Sequence, residues 1–155
     1  SPMYRKFLKP ISILGIALLS NYSFANIDPL IGKWRTIDER TGYSLSDIQI
    51  SKMKDGSYKA TIIEIRAAPG APLINTCTQC KGQFKNKPLV GFLTLYNLKA
   101  SSKNRLEFSN GIYRDPKTGL EYKSHVRLSN NGKHLSLRNT LPNSTIGRNL
   151  TWVKY

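Results

Sequence analysis

From residue 31 onward, apolar side chains fall at alternate positions in short runs, and turn-forming residues interrupt those runs every eight to twelve residues. A period of two sends successive side chains to opposite faces of a strand, so each run reads as a strand with one buried and one solvated side. Nowhere after residue 25 does an apolar stripe hold helical spacing for three turns, which excludes helical bundles and βαβ folds. Eight runs qualify as strands: residues 31–38, 43–52, 58–66, 89–98, 105–109, 120–128, 134–138 and 148–155. The cleanest is 120–128, where Tyr122, Ser124, Val126 and Leu128 face one way and Lys123, His125 and Arg127 the other. Turn signals at Asp55-Gly56, Ser101-Ser102 and Asn130-Asn131-Gly132 join neighbouring runs as hairpins. The pattern predicts an all-β fold, an eight-stranded antiparallel up-and-down barrel that closes on itself and leaves no open sheet edge. A two-sheet sandwich is the competing arrangement of the same strands.

The first 25 residues stand apart from this pattern. Ser1-Pro2 ahead of Met3 reads as a cloning scar. Arg5, Lys6 and Lys9 then form a basic stretch, 11–19 an apolar run, and Ser23-Phe24-Ala25 offers small residues where a signal peptidase reads. Residues 1–25 are therefore expected to be scar plus secretory signal, and 26–155 a single domain that is periplasmic or secreted. The apolar run is shorter than the roughly 20 residues a bilayer-crossing helix needs, so no stable membrane span is expected once the signal is removed. Charge bears on partners. The chain carries 24 Lys and Arg against 9 Asp and Glu, a formal charge of +15, and only Arg5, Lys6 and Lys9 of that excess precede residue 26. Such a field attracts anionic surfaces. Export argues against nucleic acid and points to acidic components of the cell envelope.

Residues that carry chemistry are sparse. In an oxidising compartment Cys77 and Cys80 are expected to form a disulfide that pins the long segment between the third and fourth strands. A redox pair of thioredoxin type would need a helix N-terminus beside the thiols, and zinc would need two more ligands. His125 and His134, the two histidines, fall on outward strand positions and read as solvated. No Ser-His-Asp constellation or glycine-rich phosphate loop is present, so no enzymatic activity, metal or cofactor is expected.

Several motifs carry a family resemblance. Gly32-Lys33-Trp34 resembles the Gly-x-Trp opening of the lipocalins, in which the tryptophan closes the barrel floor. Cys77-Thr78-Gln79-Cys80, Lys87-Pro88-Leu89-Val90-Gly91, Asp115-Pro116-Lys117-Thr118-Gly119-Leu120-Glu121-Tyr122 and Gly147-Arg148-Asn149-Leu150-Thr151-Trp152 follow in order. With Gly32 and Trp34 they resemble the exported bacterial proteins of the domain of unknown function 2147 family. The resemblance implies a lipocalin-like barrel and export, and it implies no activity. Leu120 stands where the family pattern has Lys, and Asn139-Thr140-Leu141-Pro142 replaces a Gly/Tyr-containing stretch.

Strand parity locates the functional end. If the first strand rises from a closed floor, the segment 67–87, the Asp115-Pro116 turn and the segment 142–147 share the upper rim. Trp152 should neighbour Trp34 across the closing seam. Arg148 should sit high, beside Arg138 and near Asp115 and Tyr122, unlike a lipocalin's late arginine, which packs beneath the tryptophan. The function read from this is a carrier that binds one small, elongated, hydrophobic or amphipathic ligand with an anionic head group inside the barrel. Ile62, Phe92, Tyr96, Phe108, Tyr113, Tyr122 and Val126 are its candidate lining. Arg138 and Arg148, with Lys81 and Lys85, are the candidate anion-binding groups. The alternative is an envelope or adhesion protein whose basic outer surface binds acidic polymers while the barrel serves as scaffold.

Overall fold

The computed structural model describes Gly15 and residues 27–155; the signal expected over 1–25 lies, Gly15 apart, outside the described residues. The eight strands are β1 (Gly32–Ile37), β2 (Ser46–Lys52), β3 (Tyr58–Ile65), β4 (Leu93–Ala100), β5 (Glu107–Arg114), β6 (Glu121–Leu128), β7 (His134–Thr140) and β8 (Gly147–Lys154). They close in sequence order into an antiparallel barrel, sealed where Trp34 faces Lys154 and Thr36 faces Trp152 across β1 and β8. Among the described residues no helix is long and apolar enough to cross a membrane.

Four strands depart from their expected bounds by two residues or more, β2 by starting at Ser46. β4 begins at Leu93 because residues 89–92 turn first, Phe92 N–H donating to the Leu89 carbonyl at 3.0 Å. β5 runs on to Arg114 through a bulge between Phe108 and Gly111, with Asn110 left-handed at φ 63°. β7 continues to Thr140, which turns Asn139 inward.

The floor follows from the opening motif. Gly32 adopts φ 136°, which L side chains rarely take, and the chain below it tucks Leu30 fully out of solvent under the barrel. Trp34 Nε1 donates to the Leu30 carbonyl at 3.0 Å, satisfying the indole inside the core. Lys154 lies over the Trp34 ring at 5.2 Å, and its ammonium donates to the carbonyls of Pro29 at 2.8 Å and Ile31 at 3.2 Å. The cation at the tryptophan floor is therefore a lysine of the last strand, which parity reasoning about Arg148 did not anticipate. Above it pack Ile48, Ile50, Ala60, Ile62, Leu95, Leu98, Phe108, Val126, Leu135 and Leu137, all buried. Each large apolar side chain contributes about 1.5–3 kcal/mol by leaving water.

The β3–β4 segment is docked on the barrel. Cys77 and Cys80 are disulfide-bonded and buried, and main-chain bonds tie Cys77 to Lys87 and Asn86 at 2.9 Å each. Gly119, at φ 74°, lies so close that a Cβ there would come within 2.8 Å of Cys80 Sγ. The disulfide thus fits against the β5–β6 turn only because that turn carries glycine. A ring this short removes little chain entropy, so its effect is local ordering.

One acidic group on the outer wall is buried. Asp47 is 2% exposed, accepting from Arg66 Nη2 at 2.7 Å and from the Tyr155 hydroxyl at 2.9 Å. Arg35 stacks over the Tyr155 ring at 4.2 Å. The Arg66 hydrogen bond, opposed by burial, holds the Asp47 carboxyl below its usual range.

Candidate functional site

The inner wall changes character with height. Across β5, β6, β7 and β8 the register aligns Phe108, Val126, Leu137 and Leu150 in an apolar row. The next row up is Gly111, Ser124, Asn139 and Arg148. Tyr113 and Tyr122 pair above it, their rings 6.3 Å apart. Below, the interior is filled; here it opens into a cavity of about 290 Å³. Trp152 and Leu150 form its apolar base, Thr36, Ser46 and Leu45 one wall, and Tyr113, Tyr122 and Asn139 the other. The β1–β2 turn and the Asp115–Thr118 turn make the rim; parity named the second of these, while the segments 67–87 and 142–147 that it named beside it do not line the cavity.

Of the expected lining residues, Tyr113, Tyr122 and Arg148 face this cavity. Ile62, Phe92, Phe108 and Val126 point inward but are packed core, each at most 3% exposed. Tyr96 does not point inward. Two register shifts between β3 and β4 turn Leu95 to the core instead, and the Tyr96 hydroxyl donates to Glu121 Oε1 at 3.3 Å outside. Arg138 is also outside, one position before the inward Asn139, and donates to Asn149 Oδ1 at 3.3 Å. Asn139, Leu150 and Trp152, with Thr36, Leu45 and Ser46 on the opposite wall, are lining residues that sequence reasoning missed. Extending the inward series Leu135, Leu137 by one step finds Asn139.

The rim is balanced in charge rather than basic. Arg40, Lys117 and Arg148 stand against Asp38, Glu39 and Asp115; Lys81 borders a separate groove with Phe84 and Arg114. Arg148, with its side chain 57% exposed, approaches Glu39 at 3.9 Å, not Asp115, which instead accepts from the Lys117 amide at 2.8 Å and initiates its turn. At 3.9 Å the guanidinium is beyond hydrogen-bond distance of Glu39, so its donors stay available. Burial, then the Asp115 carboxylate, push the Tyr113 hydroxyl well above its ordinary value, so it is a neutral hydroxyl at any physiological pH.

Residues 32–154 match the family model described as "Uncharacterized protein conserved in bacteria (DUF2147)". The chain belongs to the DUF2147 family. This DUF2147 protein is also similar to a solved structure described as "Protein HP1028 from the human pathogen Helicobacter pylori belongs to the lipocalin family". The two share 18% identity and a TM-score of 0.66, over 81% of this chain and 82% of that one. At that identity the likeness establishes the lipocalin-like barrel of the DUF2147 protein and leaves its ligand open. No curated protein matches the sequence.

Proposed function

We propose that this DUF2147 protein is an exported binding protein that takes one small amphipathic molecule into the open end of its barrel. The observation that carries the reading is the cavity of about 290 Å³. It combines an apolar base of Trp152 and Leu150 with polar walls and an available guanidinium at the rim. Its size is at the lower edge of ligand pockets, about 300 to 1,000 Å³, and the filled barrel beneath leaves no channel for a long chain. A compact ligand, of one ring or a short chain, fits where an elongated one does not. The three cations and three carboxylates of the rim cancel as a whole. The ligand's anionic group is therefore held not by a net field but by the available guanidinium of Arg148, whose planar fork binds a carboxylate or phosphate by two parallel hydrogen bonds.

Octanoate and octan-1-ol test this pair of claims, with binding read from tryptophan fluorescence. Arg148→Gln should weaken octanoate about tenfold, a charge-assisted contact of about 1.4 kcal/mol, and leave octanol unchanged. Equal losses for the two, or none for octanoate, would remove the anionic head group from the reading. Export rests on the basic stretch, apolar run and small-residue site of residues 1–25. The protein recovered from its native envelope should have an intact mass beginning at Asn26; a mass that includes Met3 counts against export.

A further inference from the structure

The register that turns Arg138 out of the cavity sets it on the outer wall, directly opposite His125 across β6 and β7. Lys123 lies two residues before His125 on the same face, about 7 Å along the strand. Two strands further round, Lys99 faces Ser109 where β4 pairs with β5. These four basic side chains border one open groove on the outside of the barrel. The ladder breaks at this groove. β4 and β5 pair at Tyr96–Ile112 and again at Lys99–Ser109, and between those pairs Asn97 and Asn110 are both left-handed, at φ 58° and 63°. Asn97 Nδ2 donates to the Asn110 carbonyl at 3.1 Å, and the Asn110 side chain is exposed.

Among the described residues no carboxylate lines the groove, and Lys99, Lys123 and Arg138 form no ion pair. The nearest carboxylates along these strands are already engaged, Glu107 at 4.0 Å from His125 and Glu121 with Arg114. Arg138 lies over Gly147, where a Cβ would come within 3.2 Å of its guanidinium carbon. Lys99 and Arg138 stand three strand spacings apart, about 14 Å, a spread that suits a chain of anions better than a single small one.

The rest of the lining selects among polyanions. A membrane surface is held through apolar side chains beside the charges, a protein partner through aromatic and apolar anchors, and single-stranded nucleic acid through aromatic platforms. No aromatic residue borders this groove, and Ile112, half-buried, is the one large apolar side chain in its lining. Its other side chains are carboxamides and hydroxyls, which both donate and accept, as sugar hydroxyls require.

We propose that this groove is a docking surface for a linear acidic polysaccharide, whose acid groups pair with Lys99, Lys123 and Arg138 and whose hydroxyls meet Asn97, Asn110 and Thr140. It lies on the opposite side of the wall from the cavity and does not depend on what the cavity holds.

Alginate, a linear polymer of uronic acids, is the probe; dextran, single-stranded DNA and phosphatidylglycerol vesicles are the comparisons. Titrated into the full chain, alginate should bind and dextran should not, and added salt should weaken the alginate complex by screening. Lys123→Gln with Arg138→Gln should weaken alginate about tenfold or more, since two charge-assisted contacts are lost together. Lys33→Gln with Lys54→Gln removes the same charge from exposed residues that do not border the groove, and should cost less than about threefold because their field is screened. Lys99→Gln with Lys123→Gln should match the first pair, and decides the matter if that pair does not fold. Equal losses in the groove and control pairs would reduce the effect to net charge and overturn the proposal. So would an absence of alginate binding, or tighter binding of DNA or vesicles than of alginate.

Discussion

Trp34→Ala is expected to lower the unfolding free energy by about 3 to 5 kcal/mol, a large fraction of the 5 to 15 kcal/mol that a domain possesses. The indole is fully buried at the floor, and three separate things depend on it. Its ring fills the space over Leu30, its Nε1 proton satisfies the Leu30 carbonyl, and its face receives the Lys154 ammonium. Truncation leaves a cavity that neighbouring strands, hydrogen-bonded on both sides, cannot collapse into, and it frees the Leu30 carbonyl and removes the ring from the Lys154 ammonium. Urea denaturation gives the number directly. A loss below about 1 kcal/mol would mean that the floor is held by other contacts, because large aromatic truncations in packed cores cost several times that.

Asp47→Ala is the second large effect, expected at about 2 to 3 kcal/mol, with a characteristic pH dependence. The carboxylate is buried and accepts from both Arg66 and Tyr155, and hydrogen bonds to charged groups are worth about 1.5 to 3 kcal/mol. Arg66 keeps partial access to solvent, with its side chain 33% exposed, so removing its partner costs less than stranding a fully buried charge. The sign follows from linkage. The folded-state pKa of Asp47 is depressed, so the unfolded chain takes up its proton first, near pH 4. The stabilisation is present in full above that pH and is lost as pH falls through the folded-state value. Stability profiles of the unaltered protein and Asp47→Ala should therefore run apart at neutral pH and converge below about pH 4. Profiles that stay parallel to the acid limit would show that the carboxylate contributes through packing alone.

What could be read from the sequence was what each strand announces by itself. Residues 120–128 alternate without exception, and the inward set Tyr122, Ser124, Val126 and Leu128 is the set the barrel holds inside. The end of the barrel that carries the cavity was also legible, because an up-and-down path puts alternate connections at one end. Parity failed where the backbone breaks period. β4 has apolar or aromatic side chains at Leu93, Leu95 and Tyr96, so no face is marked, and bulges against β3, with Asn97 at φ 58°, reset which one points in. Counting by twos from Phe92 puts Tyr96 inside; the bulges put Leu95 there. Arg138 was a different kind of error. Its charge, not its position, drew attention, although Leu135 and Leu137 already assign it to the outer face. The cavity itself depends on how far Trp152 and the rows above it fill the lumen, a property of packing between strands distant in sequence, and no local pattern encodes it.

The seam between β1 and β8 also decides when the protein can fold. Thr36 must find Trp152, and Trp34 must find Lys154, before the sheet has no free edge. The entropy of closing so long a loop is met before those contacts repay it, which places this barrel among the slow, high-contact-order folders that take milliseconds to seconds. Until the final strand arrives, β1 and β7 present open hydrogen-bonding edges to other chains. Gly147–Lys154 therefore acts as the latch of the whole domain: a chain truncated before β8 keeps seven well-patterned strands and loses the indole of Trp152, the lysine over the Trp34 ring and the protection against edge-to-edge association in one step.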